Sequence, residues 1–572
     1  MKVNVNKKIL VKAGVWTKES ESEDRFTKYS RYGTEDDKFV IDIVNFTDGE
    51  LVKLQNAANG LLEFRSLVNK IEVFRKVTKD PEGATMPHLE RLEPALKAFL
   101  LKKAPNKWLF HEVGDGHVLP YYVEDIEFHP ARRSRDGSGS PAYVCLSLHW
   151  ASHESSHSRN LCYYAADLKE HPTAVQLLEA RGYYVENEKM VKDYLAVVER
   201  FKDIKNGTGV QFRAVGHAEM RSSDRWGGSS RIAMERDGRS AKVVMDDKKD
   251  EYEKDDDDRH SKDSLELNAT YWMEYGVKAQ MKAQARKSTD VDAEQPTDPV
   301  AVPPMHPYVY VFDLSKHSHV EIHVSNLQNY KYDETCGEKL VLPQDKKDLV
   351  GILVQGAEFL MEDIVEGKTG GIIVLATGIP GTGKTLTAEI YAEAVKKPLY
   401  VVQCSQLGVS ADDIEKELTQ ILSRSSRWGA ILLIDEADVY VRERGIDIEQ
   451  NAIVGVFLRV LEYYRGILFL TSNRATSIDD AVLSRATAHI VYEAPSPAEA
   501  AKIWKVLSEQ FKLKLKGEFA AYGKAFPGVT GRTIKNLLKL AMLISQREKK
   551  PITLELVKYA SQFLDGVNGK AE

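Results

Sequence analysis

The 572-residue chain is 43% hydrophobic and 29% charged, a globular make-up and a length that suits about three or four units, each able to bury its own core. Its net charge of −6 gives no general support for nucleic-acid binding. Its longest apolar runs are too short to cross a bilayer, and the basic start MKVNVNKKILVKAGVW lacks the continuous apolar stretch of a secretory signal, so the expectation is a cytoplasmic protein without a membrane partner.

The first hundred residues are mixed. VIDIVNF at 40–46 suits a strand, and 48–76 carries helical periodicity through Leu51, Leu54, Leu61, Leu62, Leu67, Val68 and Ile71. A further helix is predicted over 88–102, after Pro87. From 108 to 166 short apolar runs (WLFHEV, YYVEDIEF, AYVCLSLHW, NLCYYAADL) alternate with Gly/Pro/Ser-rich connections, the texture of an antiparallel sheet. Helical patterns return at 172–181 and 187–204, and 209–220 reads as strand. Residues 1–226 are therefore expected to be an α+β region that recognises a substrate or partner.

Residues 227–305 hold a candidate strand at 241–245, the charge run DDKKDEYEKDDDDRHSKD and the proline-rich TDPVAVPP, and read as a flexible linker. YVYVFDL and HVEIHVSNL are predicted to form a connecting hairpin within 306–345. From 346 to 495 helices and strands alternate: helix 346–362, strand 371–377, helix 384–395, strand 398–403, helix 411–426, strand 430–434, helix 447–463, and strands 466–471 and 488–492. That order predicts a parallel sheet covered on both faces. After Pro495 and Pro497 only helical patterns follow, at 498–511, 516–525, 531–547 and 552–563, predicting a small helical subdomain over 496–566. No internal repeat of fixed period is present.

The strongest chemical signal is GIIVLATGIPGTGKT at 371–385, which matches G-x-x-x-x-G-K-[ST] between an apolar strand and a helix. Gly378, Ile379, Pro380, Gly381, Thr382, Gly383, Lys384, Thr385 and Leu386 are the expected phosphate cradle. Backbone N–H groups approach the phosphates, Lys384 reaches the β/γ pair, and the Thr385 hydroxyl ligates Mg²⁺. ILLIDEAD at 431–438 ends a buried strand in Asp435 and Glu436, at the sheet edge where open α/β folds bind ligands. Asp435 is expected to hold Mg²⁺ and Glu436 to orient and deprotonate the attacking water. Asn473, ending ILFLTSNRA, suits placement of the γ-phosphate or the water. Arg485 suits an arginine supplied to a neighbouring subunit, and Arg532, opening a late helix, suits a reporter of nucleotide state.

In this order the motifs resemble the AAA+ ATPase family. GIPGTGKT is similar to its Walker A, LLIDEAD to its Walker B, Asn473 to sensor 1, Arg485 to the arginine finger and Gly531-Arg532 to sensor 2. The resemblance covers about 340–565 and implies a P-loop α/β subdomain, a helical lid, hydrolysis of Mg-ATP and a homo-oligomeric ring, usually of six subunits. Two departures stand out. SQLGVSADD at 405–413 has no aromatic where many protein-threading members carry one, and Arg485 is followed by Ala-Thr-Ala-His rather than an R-x-x-R pair. The expected function is ATP-driven remodelling of a protein partner. A nucleic-acid-dependent loader and a nucleotide-controlled assembly switch are the alternatives.

The remaining candidates are less specific. His149, His153 and His157 have i, i+4, i+8 spacing near Cys145 and Cys162, a zinc set if helical, although strand-like serine-rich flanks argue against a helix. His317, His319 and His323 alternate as on a half-exposed strand. Arg132, Arg133 and Arg135 form a small basic patch. Arg442 and Arg444 suit a solvent-exposed, intersubunit or pore surface. Cys145, Cys162, Cys336 and Cys404 lack C-x-x-C spacing, predicting reduced, mostly structural thiols. No nucleophile, protease or nuclease motif stands out.

Overall fold

The computed structural model describes residues 2–17, 26–28, 38–86, 88–133, 139–152, 156–221, 229–246, 303–355, 371–408, 410–444, 448–474 and 478–564. The chain divides into two compact units, residues 1–203 with 254–309 and residues 204–253 with 310–572.

In the first unit, the strands Lys2–Asn6, Lys38–Asp42 and Phe26–Lys28 form a small sheet. The expected strand at 40–46 ends at Asp42, whose side chain accepts from Val44 N–H and turns the chain into a short 3₁₀ segment. The long periodic stretch 48–76 is two helices, Asp48–Ala58 and Arg65–Lys79, the first closed by a Thr47/Glu50 capping box. These helices and Leu89–Lys103 share one apolar core with a five-stranded antiparallel sheet. That sheet contains Trp108–Gly114, His117–His129, Tyr143–Ala151 and Ser156–Tyr164. Its alternation follows the pleat: Val144, Leu146 and Leu148 enter the core.

The second unit contains two sheets. In the five-stranded parallel one, Ile372–Gly378 lies between Ile467–Ser472 and Ala488–Tyr492, with Ile431–Asp435 and Leu399–Gln403 continuing past Ile467–Ser472. Successive residues of the strand Ile372–Gly378 serve opposite faces. Ile373 and Leu375 join Leu418, Val454 and Phe457, whereas Val374 and Ala376 join Ala388, Ala392 and Val350. A sheet buried on both faces explains its continuous apolar runs. The expected helix 346–362 is described as Gln344–Gln355, and its remainder lies outside the described residues. The C-terminal helices Pro497–Gln510, Phe519–Ala525, Gly531–Glu548 and Leu554–Ser561 have their own core around Trp504, Tyr522, Leu537 and Leu538.

The second sheet departs from expectation. Residues 229–245, assigned to a linker from their polar, charged surroundings, supply the strand Ser229–Ala233 as well as Arg239–Met245, which matches the candidate strand at 241–245. They share one antiparallel sheet with Gln211–Ala214, His217–Arg221, Tyr308–Asp313, Ser318–His323 and Leu327–Asn329. The stretch 209–220 is thus two strands, broken where Gly216 adopts φ 65°. The predicted hairpin within 306–345 is an integral part of that sheet rather than a connector. The sheet is fastened to the parallel one by packing and by charge. Val244 and Phe312 enter the core with Tyr400 and Trp428, and Glu393, near the end of helix Lys384–Ala394, accepts from Lys242 Nζ (3.2 Å) and Tyr330 Oη.

Asp246, with no solvent exposure, accepts from Arg427 Nε (2.9 Å) and Nη2 and lies 3.1 Å from His319 Nε2. His323 is buried rather than half-exposed, whereas His317 and His319 are partly buried. Burial pushes the Asp246 carboxyl up, but His319 and Arg427 outweigh it and hold its pKa below the ordinary value. A folded pKa below the unfolded one means the pair stabilises fully above the unfolded value of ~3.9 and fades as pH falls through the folded value. Arg427→Ala leaves the carboxylate buried without its guanidinium, a cost of about 3–5 kcal/mol. The expected result by calorimetry is a large drop in melting temperature at neutral pH that narrows below about pH 4.

Candidate functional site

The carboxyl edge of the parallel sheet brings together the ends of three adjacent strands. Gly378 closes the first, Asp435 the second, and Ser472 the third. Gly378 has φ 137°, and a Cβ there would stand 2.0 Å from Tyr492 O, so the chain leaves the sheet where no side chain fits. Gly381, at φ 82°, faces Arg532 and Thr530, where a Cβ would come within 2.7 Å of Arg532 Cβ. The loop ends at Gly383, the N-cap of the helix Lys384–Ala394, with no side-chain cap. Its first-turn N–H groups therefore have no capping side chain, which suits an anion at a helix N-terminus.

Lys384 curls back through this loop. Its Nζ donates to Gly378 O (2.8 Å), Ile379 O (2.9 Å) and Asn473 Oδ1 (3.0 Å). Burial pushes the Lys384 ammonium pKa down, assisted by Arg532 and opposed by Asp435 and Asp438. Thr385 Oγ1 donates to Asp435 Oδ1 at 3.0 Å, so both expected metal ligands share one hydrogen bond. Thr471 Oγ1 also donates to Asp435, while Asp438 accepts from Ser472 Oγ and from Asn473 N–H (2.9 Å). Thr471, Ser472 and Asp438 were not singled out from sequence; hydroxyls closing an apolar strand and the final Asp of ILLIDEAD were the available signals.

Glu436 adopts φ 57°, ψ 44°, a left-handed conformation uncommon for a non-glycine residue. Two bonds hold it there: its N–H donates to Thr471 Oγ1 (3.0 Å), and its carbonyl accepts from Cys404 Sγ (2.9 Å). Among the described residues its exposed carboxylate has no recorded hydrogen-bond or ion-pair partner. Arg532 N–H donates to Gly381 O at 3.4 Å, placing the start of Gly531–Glu548 against the loop. Arg485 makes its contacts elsewhere, with Ala481 O (3.2 Å) and Glu462 (3.6 Å). Arg444 is an ion-pair partner rather than merely solvated: Nε donates to Asp479 at 2.8 Å. Asp479 in turn N-caps Asp480–Arg485, the helix that ends in Arg485, and the Arg442↔Ile478 bridge reinforces this link.

The donor set fits a nucleoside triphosphate with a divalent cation: a glycine loop at an uncapped helix start, a buried lysine, and a hydroxyl beside an aspartate. Residues 374–494 match the family described as ATPase family associated with various cellular activities (AAA). The chain carries an AAA ATPase domain. The ATP-dependent zinc metalloprotease FtsH of Acholeplasma laidlawii (strain PG-8A) is 29% identical over 195 residues, 31% of this chain and 30% of that protein. FtsH of Neorickettsia risticii (strain Illinois) is 28% identical over 240 residues, 38% and 37% of the two chains, and that of Oenococcus oeni 27% over 243, 39% and 32%. The chain thus spans about a third of the length of these curated relatives. ATP hydrolysis is the chemistry to which the AAA domain belongs.

Outside the AAA domain, the other candidates change character. His149 and His157 stand on the two strands of a hairpin, opposite Ser158 and Trp150 respectively, not on one helix. His149 Nε2 pairs with Glu124 (2.7 Å), and His157 stacks on Trp150. His153-Glu154-Ser155-Ser156-His157 also spells H-E-x-x-H, contrary to the expectation of no protease motif, but that zinc chemistry needs both histidines on a helix. His157 lies on a strand, and His153 falls outside the described residues, as does Arg135. Among the described residues, no three His, Cys, Asp or Glu are grouped to hold a metal, and no helix is long and apolar enough to cross a membrane.

Proposed function

We propose that this chain is a Mg-ATP-driven remodelling ATPase that works as a homo-oligomeric ring on a protein partner. The observation that carries the reading is the junction of Lys384, Asn473, Asp435 and Thr385 at one sheet edge. The P-loop amides and Lys384 bind the phosphates, and Asn473, steered by Asp438, positions the γ-phosphate or the water beside it. Glu436, with its carboxylate turned out on a left-handed backbone, accepts the proton of the attacking water. Thr385 and Asp435 would hold Mg²⁺, which would supply charge neutralisation to the phosphates. Arg532, whose backbone touches the loop at Gly381, couples nucleotide state to the C-terminal helices, which act as a lid.

Arg485 completes the neighbour's site. Among the described residues its side chain meets Ala481 O and Glu462 rather than the P-loop, and the Arg444–Asp479 pair holds the helix that presents it. The relatives' names join ATP use to proteolysis; the proposal takes up the ATP-driven part, because the likeness covers about a third of each chain. The partner-recognising role is assigned to the N-terminal region. A soluble, cytoplasmic setting accords with the composition.

The test measures phosphate release by the purified chain with ATP and magnesium, alongside sedimentation with and without nucleotide. Turnover with nucleotide-dependent assembly supports the ring machine. Assembly with almost no turnover favours the switch, and turnover that rises with DNA in a salt-sensitive way favours the loader. Failure to bind ATP removes all three.

A further inference from the structure

Cys145 and Cys162 stand directly opposite each other on adjacent antiparallel strands of the N-terminal unit. Their Sγ atoms are 2.9 Å apart, and both thiols are free. Cross-strand partners of this kind have Cα atoms about 4.5–5.5 Å apart, within the ~4.4–6.8 Å that a disulfide spans. No backbone rearrangement is needed to join them.

Strand alternation shows which face they occupy. Val144, Leu146, Leu161 and Tyr163 enter the core, and neither cysteine belongs to it. The two sulfurs therefore share the opposite face with Ser147, His149, Ser158 and Asn160, and Glu127 of the next strand lies in the same row. Ser158 and Asn160 are exposed, Cys162 is partly exposed and Cys145 is covered. A pair placed for packing alone would point inward. This pair is open to small solutes at Cys162 and backed by a second sulfur.

We propose that Cys145 and Cys162 are a reversible redox pair that closes to a cross-strand disulfide when a hydroperoxide reaches Cys162. The Cys162 thiolate attacks one peroxide oxygen; an S–O bond forms, the O–O bond breaks, and the leaving hydroxide is protonated to water. Cys145 Sγ then attacks the sulfur of the resulting sulfenic acid. The S–S bond forms as the S–O bond breaks, and the departing hydroxide takes the Cys145 proton. In total, two thiols and hydrogen peroxide give a disulfide and two waters, with two electrons passing from sulfur to oxygen. Burial, then the hydrogen bond with Cys162 and nearby negative charge, push the Cys145 thiol up to about 12, so it stays protonated while the more open Cys162 attacks first. An external dithiol reverses the reaction by exchange.

Cys336 and Cys404 provide internal controls: Cys336 Sγ donates to Asp333, and Cys404 Sγ to the backbone at Glu436. The full chain, reduced and freed of reductant, is treated with hydrogen peroxide, its remaining thiols are alkylated, and non-reducing peptide maps are recorded. The expected result is a linked peptide pair joining Cys145 to Cys162, reversed by dithiothreitol, with Cys336 and Cys404 still alkylated. Cys162→Ser abolishes the link, whereas Cys336→Ser leaves it intact. Alkylation of both Cys145 and Cys162 after peroxide would overturn the proposal, as would Cys162 reaching sulfinic acid beside a free Cys145. If Cys162→Ser does not fold, the map of the unmodified chain decides alone.

Discussion

Glu436→Gln should keep ATP bound and lose turnover by about 10²–10⁴-fold, the usual worth of a positioned general base. The amide cannot take the water's proton, yet it is nearly isosteric and leaves the backbone bonds to Thr471 and Cys404 in place. Lys384, Asn473 and Asp435 keep their mutual contacts, so the phosphate cradle should be unchanged. Fluorescent-nucleotide binding and single-turnover phosphate release separate the two effects. Turnover at the unmodified rate would remove Glu436 from its role, whereas loss of binding would point to structural damage. Because this variant holds ATP, it is also the one on which to capture and identify a bound partner.

Arg485→Ala should lower turnover by about 10³–10⁵-fold, the range for an arginine that stabilises charge on a transferring phosphoryl group. Within its own chain the change removes contacts with Ala481 O and Glu462, both away from the P-loop, so nucleotide affinity should fall much less. Mixing with Lys384→Ala gives the sharper test. One variant keeps Lys384 and the other keeps Arg485, so some interfaces of a mixed ring hold a complete site. Partial recovery on mixing supports action on the neighbour; no recovery despite intact assembly counts against it.

The nucleotide-binding half was legible because its constraints are local. Gly378, Gly381 and Gly383 must adopt dihedrals that other residues resist, and a sheet buried on both faces leaves uninterrupted apolar runs such as ILLID and ILFL. The order of strands and helices from 371 onward could therefore be read within a few residues. Arg444–Asp479 was hidden because its partners are 35 residues apart and each looks like an ordinary surface charge. The candidate strand at 241–245 was legible and is found as Arg239–Met245, whereas Ser229–Ala233 was masked by its polar composition although its partner His217–Arg221 lies close by in the chain. The cysteine pair escaped spacing rules because antiparallel register, rather than sequence distance, brings Cys145 to Cys162.

The split sheet has a consequence for the order in which this protein can be made. Strands Gln211–Ala214 and Arg239–Met245 leave the ribosome before Tyr308–Asp313 and Ser318–His323, and Val244 and Phe312 then need Tyr400 and Trp428, made later still. Their edges stay open through that interval, as with other pairings distant in sequence. The N-terminal sheet core, built from residues before 186, faces no such delay. The ATPase domain is for the same reason not a cassette beginning at 346. A fragment cut there would uncover Tyr400 and Trp428, whose rings meet Phe312 at 5.6 and 5.0 Å; the compact unit that holds these contacts begins at residue 204.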